Sequence, residues 1–260
     1  MKTVLKALLI TTLTATSAWS LSAIEIIDKV NNRDDGESVS RTLKMELTDK
    51  RGKKRVQETL SYRKYYGKDK KSVLFYKAPK RLRGTGFLTY DHAVSDDEQW
   101  LYLPALRKVR RVSASDRGDW FLGTDFSYED IKKETKVSTE DYDFKLLGEE
   151  QVDGHAVYKV EFVAKNEEIA KELGYSRLVA LIDKTIFISR KVTFYDERGE
   201  LLKRLYNQEI KEVDGLWTIH HMQMTNAQNG HESHFYFSDI DYKKALSDTL
   251  FTQQSLKRGK

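Results

Sequence analysis

The sequence predicts a mainly β protein of the α+β class. It should hold one continuous antiparallel sheet of about eleven strands, strongly curved or closed, with short helices over its concave side. Three observations carry this reading. From Val39 onward apolar and polar residues alternate with a period of two, as Leu43, Met45 and Leu47 do against Thr42, Lys44 and Glu46, which marks a sheet with one face on a core. Turn signals such as Asp49-Lys50-Arg51-Gly52, Val152-Asp153-Gly154 and Val213-Asp214-Gly215 separate the strands in hairpin order. The helical stretches are few and short, and neither a Pro/Ser-rich linker nor a long-period repeat divides the chain. A sheet of this kind needs its concave side covered, and the helices are the available cover.

The N-terminus reads as a secretory signal. Lys2 and Lys6 supply positive charge, Ala7 to Leu13 a short apolar run, and small residues offer cleavage after Ala18 or after Ala23. The apolar run is shorter than the ~20 residues that span a bilayer. The expected organisation is a signal peptide over 1–23 and a single domain over 24–260. Ile24 to Arg33 places apolar residues at 24, 26, 27 and 30 on one helical face. Strands follow at Val39 and beyond, Arg55 to Tyr66, Lys70 to Tyr76 and Thr85 to Tyr90.

Trp100 to Ile131 breaks the alternation. Trp100-Leu101-Tyr102-Leu103 is apolar throughout, so this strand is expected to be buried on both faces. Beyond Pro104 come Arg107, Lys108, Arg110 and Arg111, then a polar turn, then Trp120, Phe121, Phe126 and Tyr128 around Gly123. Aromatic bulk on a Gly-marked loop beside positive charge suits a site that handles an amphiphile. It equally suits a core strand, a solvated hairpin and a loop that plugs the sheet. A short helix is expected at Tyr128 to Lys133. The chain returns as strands at Phe144 to Leu147 and His155 to Ala164, with an Asn166-capped helix closed by Gly174. Further strands are Arg177 to Ile182, Ile186 to Tyr195, Leu201 to Val213, Leu216 to Gln228 and His231 to Phe237, and the tail offers Leu250, Phe251 and Leu256 as anchors.

Composition narrows the chemistry. The chain has no cysteine, so disulfides, thiolate ligands, a cysteine nucleophile and lipid attachment at a new N-terminal cysteine are all excluded. Without the signal, 43 basic residues face 40 acidic ones, a net of +3. That is too weak and too well mixed to drive nucleic-acid binding. Neither a G-x-S-x-G elbow, a phosphate-binding loop nor an H-E-x-x-H motif is present. Gly84-Thr85-Gly86 lacks the third glycine of a dinucleotide loop. No cofactor and no enzymatic activity are expected. His220, His221, His231 and His234 flank the Gly230 turn, but strand alternation lets at most two converge, so no metal site is expected. The arginine cluster has three readings: a solvated strand face, a grip on an anionic headgroup, or a docking patch for an acidic partner or membrane surface. Alternation puts Lys108 and Arg110 on one face and Arg107 and Arg111 on the other.

The segment EQWLYLPALRKVRRVSASDRGDWFLGTDFSYEDI, Glu98 to Ile131, resembles a family of secreted bacterial outer-membrane lipoprotein-sorting proteins related to the LolA/LolB carriers. The likeness extends over the signal, the first helix and the strand order, most of the chain. It implies an incomplete antiparallel β-barrel whose concave apolar interior, capped by helices, holds acyl chains. It further implies a periplasmic protein whose partners are a lipid or lipidated protein, a resistance-nodulation-division (RND) type exporter of the inner membrane and, transiently, a membrane. On this reading Trp100, Tyr102, Leu103, Trp120, Phe121 and Phe126 are candidates for lipid binding. Arg107, Arg110 and Arg111 are candidates for headgroup or partner contacts. The competing expectation is an accessory subunit that docks on the exporter without binding cargo, recognisable by a filled interior. A secreted hydrolase is a third class, for which the sequence offers no nucleophile–base pair.

Overall fold

A computed structural model of the chain describes residues 21–93 and 95–259. The predicted signal, except its last three positions, lies outside the described residues. The chain opens with α1 (Ala23–Asn31) and passes through β1 (Ser38–Thr48), β2 (Lys54–Tyr66), β3 (Asp69–Ala78), β4 (Gly86–Asp91), β5 (Glu98–Leu103) and β6 (Lys108–Val112). A crossover segment, which holds α2 (Tyr128–Lys133), leads to β7 (Tyr142–Val152) and β8 (His155–Ala164). Then follow α3 (Glu167–Leu173), β9 (Arg177–Asp183), β10 (Ser189–Tyr195), β11 (Leu201–Val213), β12 (Leu216–Asn226), β13 (Glu232–Asp241) and α4 (Gln253–Arg258).

All strands join one antiparallel sheet in the order β6-β5-β4-β3-β2-β1-β13-β12-β11-β10-β9-β8-β7. Every pairing is between sequence neighbours except the seam of β1 with β13, in which Leu43 lies opposite Phe237 and Leu47 opposite Ser233. The sheet is open, because β6 and β7 are its two edges. It has thirteen strands, where the sequence predicts about eleven. One reason is the basic run, which pairs as a strand of its own, with Arg111 opposite Trp100 and Val109 opposite Tyr102.

The short helices are set by local chemistry. Ser22 caps α1, its side chain accepting from the Glu25 N–H while the Glu25 carboxylate accepts from the Ser22 N–H at 2.8 Å. Ser127 and Asp130 make the same reciprocal cap on α2. Asn166 caps α3, which ends on left-handed Gly174, as expected. Ile26, Ile27 and Val30 of α1, Tyr128 of α2 and Leu173 of α3 enter the main core on the concave side.

The fourth helix departs from the expectation of helices on the concave face. A second cluster on the convex face packs Leu246, Phe251 and Leu256 of the tail over Val73, Phe75, Leu88 and Trp100. Gly86 makes room for it: a Cβ there would lie 2.8 Å from the Leu256 side chain. The strand β5 is thus buried on both faces, with Leu101 in the main core and Trp100 under the tail. This is why the four-residue apolar run does not alternate.

Candidate functional site

Between the concave face and the crossover lies a cavity of about 200 Å³. A water needs only ~10–15 Å³ of such space, so this volume accommodates a substantial guest. Its lining is divided. On one side, from β8 to β13, apolar residues such as Phe162, Leu178, Val192, Phe194, Leu205 and Phe235 predominate, with Ser189, Asn207 and Thr218 among them. On the other are Arg41, Ser61, Arg63, Ser72 and Thr89, from β1 to β4, with Leu43, Leu74 and Phe87 among them.

The crossover closes the remaining side. Its tip is a small hairpin: the Phe121 N–H donates to the Phe126 carbonyl at 2.7 Å, Trp120 bridges Ser127, and Leu122 and Gly123 turn with positive φ. Two of the predicted aromatics therefore point into the fold. Phe126 stacks on Phe235 with ring centroids 4.1 Å apart, and Phe121 meets Phe87 at 5.0 Å and Tyr128 at 5.4 Å. Asp125 anchors the tip, accepting from Ser233 Oγ at 2.6 Å and lying 2.5 Å from His231 Nδ1.

Ion pairs secure the base of the crossover to the sheet. Lys203 reaches Asp130 at 2.5 Å, Arg41 reaches Glu134 at 2.5 Å, and Asp91 takes Lys133 at 2.6 Å and Lys70 at 3.1 Å. Lys132 pairs with Asp97 and with Glu129, and Arg117 with Asp141. Arg63 grips Asp35 at 2.6 Å from a side chain only 3 % exposed. Burial would raise the Asp35 carboxyl, but Arg63, Lys136 and Arg33 hold it below the usual carboxylate range. Asp91 is likewise held down, burial being outweighed by Lys70 and Lys133, and Glu134 by Arg41 and Arg63. Glu134 adopts φ 56°, a costly conformation for a residue with a side chain, and its ion pair to Arg41 sits at that strained point.

The residues singled out in the sequence divide among three places. Phe126 lines the cavity, Phe121 lies fully buried behind it, and half-buried Leu103 packs against the same core. Trp100 and Tyr102 point to the convex face, in the cluster under α4, because strand alternation opposes them to Leu101 and Leu103. Trp120 is 41 % exposed, with the Lys203 ammonium 5.0 Å from its ring centre. Arg110 and Arg111 extend from the edge strand β6 with side chains 65 % and 62 % exposed, and Arg107 sits at the preceding turn with positive φ. Of the histidines, His221 Nε2 and His234 Nδ1 meet at 2.8 Å, and among the described residues no group of three ligands is placed to hold a metal.

Most of the cavity lining was not singled out in the sequence. Gln57, Thr59, Ser61 and Arg63 alternate with Glu58, Leu60 and Tyr62, which reads as a solvent face on β2, yet the polar set is the buried one. Trp217, which lines the cavity and is 39 % exposed, marks where it reaches the surface.

A sequence family described as "Uncharacterized protein" matches residues 68–258. No curated protein matches the chain. Among solved structures, a domain from Vibrio parahaemolyticus assigned to outer membrane lipoprotein-sorting proteins is 31 % identical, with a TM-score of 0.83 over 91 % of this chain and 98 % of that one. A DUF1329 family protein from Desulfovibrio piger is 29 % identical, with a TM-score of 0.83 over 90 % of this chain and 97 % of that one. A LolA superfamily protein from Nitrosomonas europaea shares the fold, with a TM-score of 0.69 at 20 % identity over 91 % of this chain and 100 % of that one. An open antiparallel half-barrel around an interior cavity, together with these likenesses, identifies the chain as a member of the outer membrane lipoprotein-sorting protein family, built on the LolA-like fold.

Proposed function

We propose that the protein is a periplasmic carrier, or chaperone, that receives the acyl chains of a lipid or lipidated protein in its half-barrel and hands them toward the outer membrane. The observation that supports this most is the cavity with its apolar wall from β8 to β13. Each buried CH₂ contributes ~0.8 kcal/mol, so an acyl chain can be held without covalent chemistry and the role is binding, not catalysis. Release then requires a competing apolar surface, hence transient contact with a membrane or receptor. On this reading the N-terminal signal, cleaved after Ala18 or after Ala23, exports the protein, and among the described residues no helix is long and apolar enough to cross a membrane. The test is uptake of a fluorescent fatty-acid analogue, with mass spectrometry of gently extracted protein. Leu205→Trp, which fills the cavity from β11, should weaken uptake at least tenfold with the circular dichroism spectrum unchanged. Lipid-free wild-type protein that takes up no analogue refutes the carrier.

The exposed arginines favour a second reading, in which the protein docks as an accessory subunit on an RND-type exporter. Arg107, Arg110 and Arg111 lie at or beside the edge strand β6, where a partner has access to them. Reversing all three charges should abolish co-purification with the exporter and leave analogue uptake intact. Unaltered co-purification removes the patch from consideration.

A further inference from the structure

The polar side of the cavity has an order of its own. Arg63 on β2 lies opposite Ser72 on β3, Ser72 opposite Thr89 on β4, and Thr89 opposite Gln99 on β5. These side chains form one cross-strand row on the concave face, and each is more than nine-tenths buried. Buried polar atoms are normally hydrogen-bonded. Yet Arg63 Nε, Ser72 Oγ, Thr89 Oγ1 and Gln99 Oε1 all lack a hydrogen-bond partner among the described residues. Four such atoms in consecutive register are a feature of this face, because leaving each unmade costs stability.

The row lies at a boundary. One step along the strands, Arg41, Ser61, Leu74, Phe87 and Leu101 form the next row, which leads into the apolar interior. In the other direction Lys70 lies opposite Asp91, inside the ion-paired base of the crossover. Arg63, Ser72 and Thr89 of this row line the cavity, whereas Gln99 continues the row beyond it, so a guest whose chain rests on β8 to β13 has its polar end at Arg63, Ser72 and Thr89. The chemistry of that end follows from the charges. Arg63, Arg41, Lys70 and Lys133 each already hold a carboxylate of the protein. A bare carboxylate or phosphate would enter a buried site whose nearby cations are engaged, at a large desolvation cost. An ester with free hydroxyls meets no such cost: its carbonyl accepts from Arg63 Nε or a hydroxyl, and its own hydroxyl donates to Ser72 Oγ or Thr89 Oγ1.

We propose that the row Arg63–Ser72–Thr89 is a headgroup subsite for an uncharged acyl ester of the acylglycerol type. The proposal rests on the carrier reading and adds the class of cargo. The same ester occurs in a free acylglycerol and in the acylglyceryl group of a lipidated protein.

The test is competition against an apolar fluorescent probe, N-phenylnaphthylamine, on the mature protein. The competitors are monomyristoylglycerol, myristate and a diacylglyceryl-cysteine peptide. Monomyristoylglycerol should displace the probe at concentrations at least tenfold below myristate. Thr89→Val, nearly isosteric, should weaken the ester competitors about fivefold to tenfold, the effect of one lost hydrogen bond. Probe binding and myristate displacement, measured on each variant, set the baseline against which the ester loss is read. Because the substitution removes an unpaired buried hydroxyl, the melting temperature of the empty protein should hold or rise. Ser72→Ala is a second variant with the same expected loss of ester affinity. Whichever ester binds more tightly names the source of the cargo. Equal displacement by myristate, or ester affinity unchanged in both variants, overturns the subsite while leaving the carrier standing. Failure to bind the probe at all overturns both.

Discussion

Arg63 decides more than any other single side chain. Its guanidinium is buried on β2 and holds Asp35, which also receives the Tyr65 hydroxyl at 3.2 Å and lies 3.4 Å from Lys136. Arg63→Ala strands that carboxylate in the protein, and a broken buried pair costs about 3 kcal/mol or more. Urea denaturation should show that loss, whereas Arg111→Ala, on an exposed pair of 3.9 Å, should cost less than about 1 kcal/mol. The same groups set the pH response. Asp35, Asp91 and Glu134 titrate below their ordinary values, so the unfolded chain binds protons first and these groups stabilise the fold above a pH of about 4. That contribution disappears as pH falls through their lower folded values. His221 is also held down, by burial and then by His234. Its depressed value favours the neutral ring in the fold, so stability should begin a shallow decline below a pH of about 6.5, ahead of the steep acid loss. Thermal melts from pH 8 to pH 3 should resolve the two phases, and His221→Gln should abolish the shallow one.

At the level of elements, the helices are short and depend on their ends. The described part of α1 begins with Ser22 as cap and Glu25 as its reciprocal partner, and Leu21 packs against the core. Cleavage after Ala23 would remove Leu21 and Ser22, whereas cleavage after Ala18 keeps them. We therefore expect N-terminal sequencing of exported protein to begin at Trp19. A version begun at Ile24 should be less stable by about 1 kcal/mol, the usual worth of a cap, and unchanged stability would argue against the capped start. The sequence signals for Tyr128 to Lys133 and for the Asn166-capped helix were legible because a cap and a breaker are local chemistry. The destination of a helix is not. Nothing in Gln253–Arg258 says that it covers the convex face, a position that depends on Gly86, far away in sequence, leaving space for Leu256.

At the level of the whole molecule, an almost uninterrupted meander is closed by one long-range seam, β1 with β13. The seam joins the strands β1 to β4, which supply the polar side, to the strands β8 to β13, which supply most of the apolar side, across one interior. An asymmetric cavity results, with apolar residues predominating on one wall and hydrogen-bonding groups concentrated on the other. The two sheet edges stay apart, and the crossover spans between them with Phe121, Phe126 and Tyr128 in the core. The loading predictions belong to this scale: Leu205→Trp acts on the apolar wall and Thr89→Val on the polar one, so their effects on chain and head should separate.

By itself the sequence determined the antiparallel strand order, the short capped helices, the double burial of β5 and, by likeness, the family. Period-two alternation, turn residues and caps act over a few neighbours, so they can be read without knowing the fold. Tertiary structure alone decided which face of each strand is inside. Alternation marks two faces but does not say which one meets the cavity, and on β2 the polar face of Gln57, Thr59, Ser61 and Arg63 is the buried one. For the same reason Trp100 and Tyr102, adjacent to Leu101 and Leu103 in sequence, lie on the far side of the sheet. A headgroup row built from one residue on each of three strands exists only once register is set, because its members are brought together by pairing across the sheet.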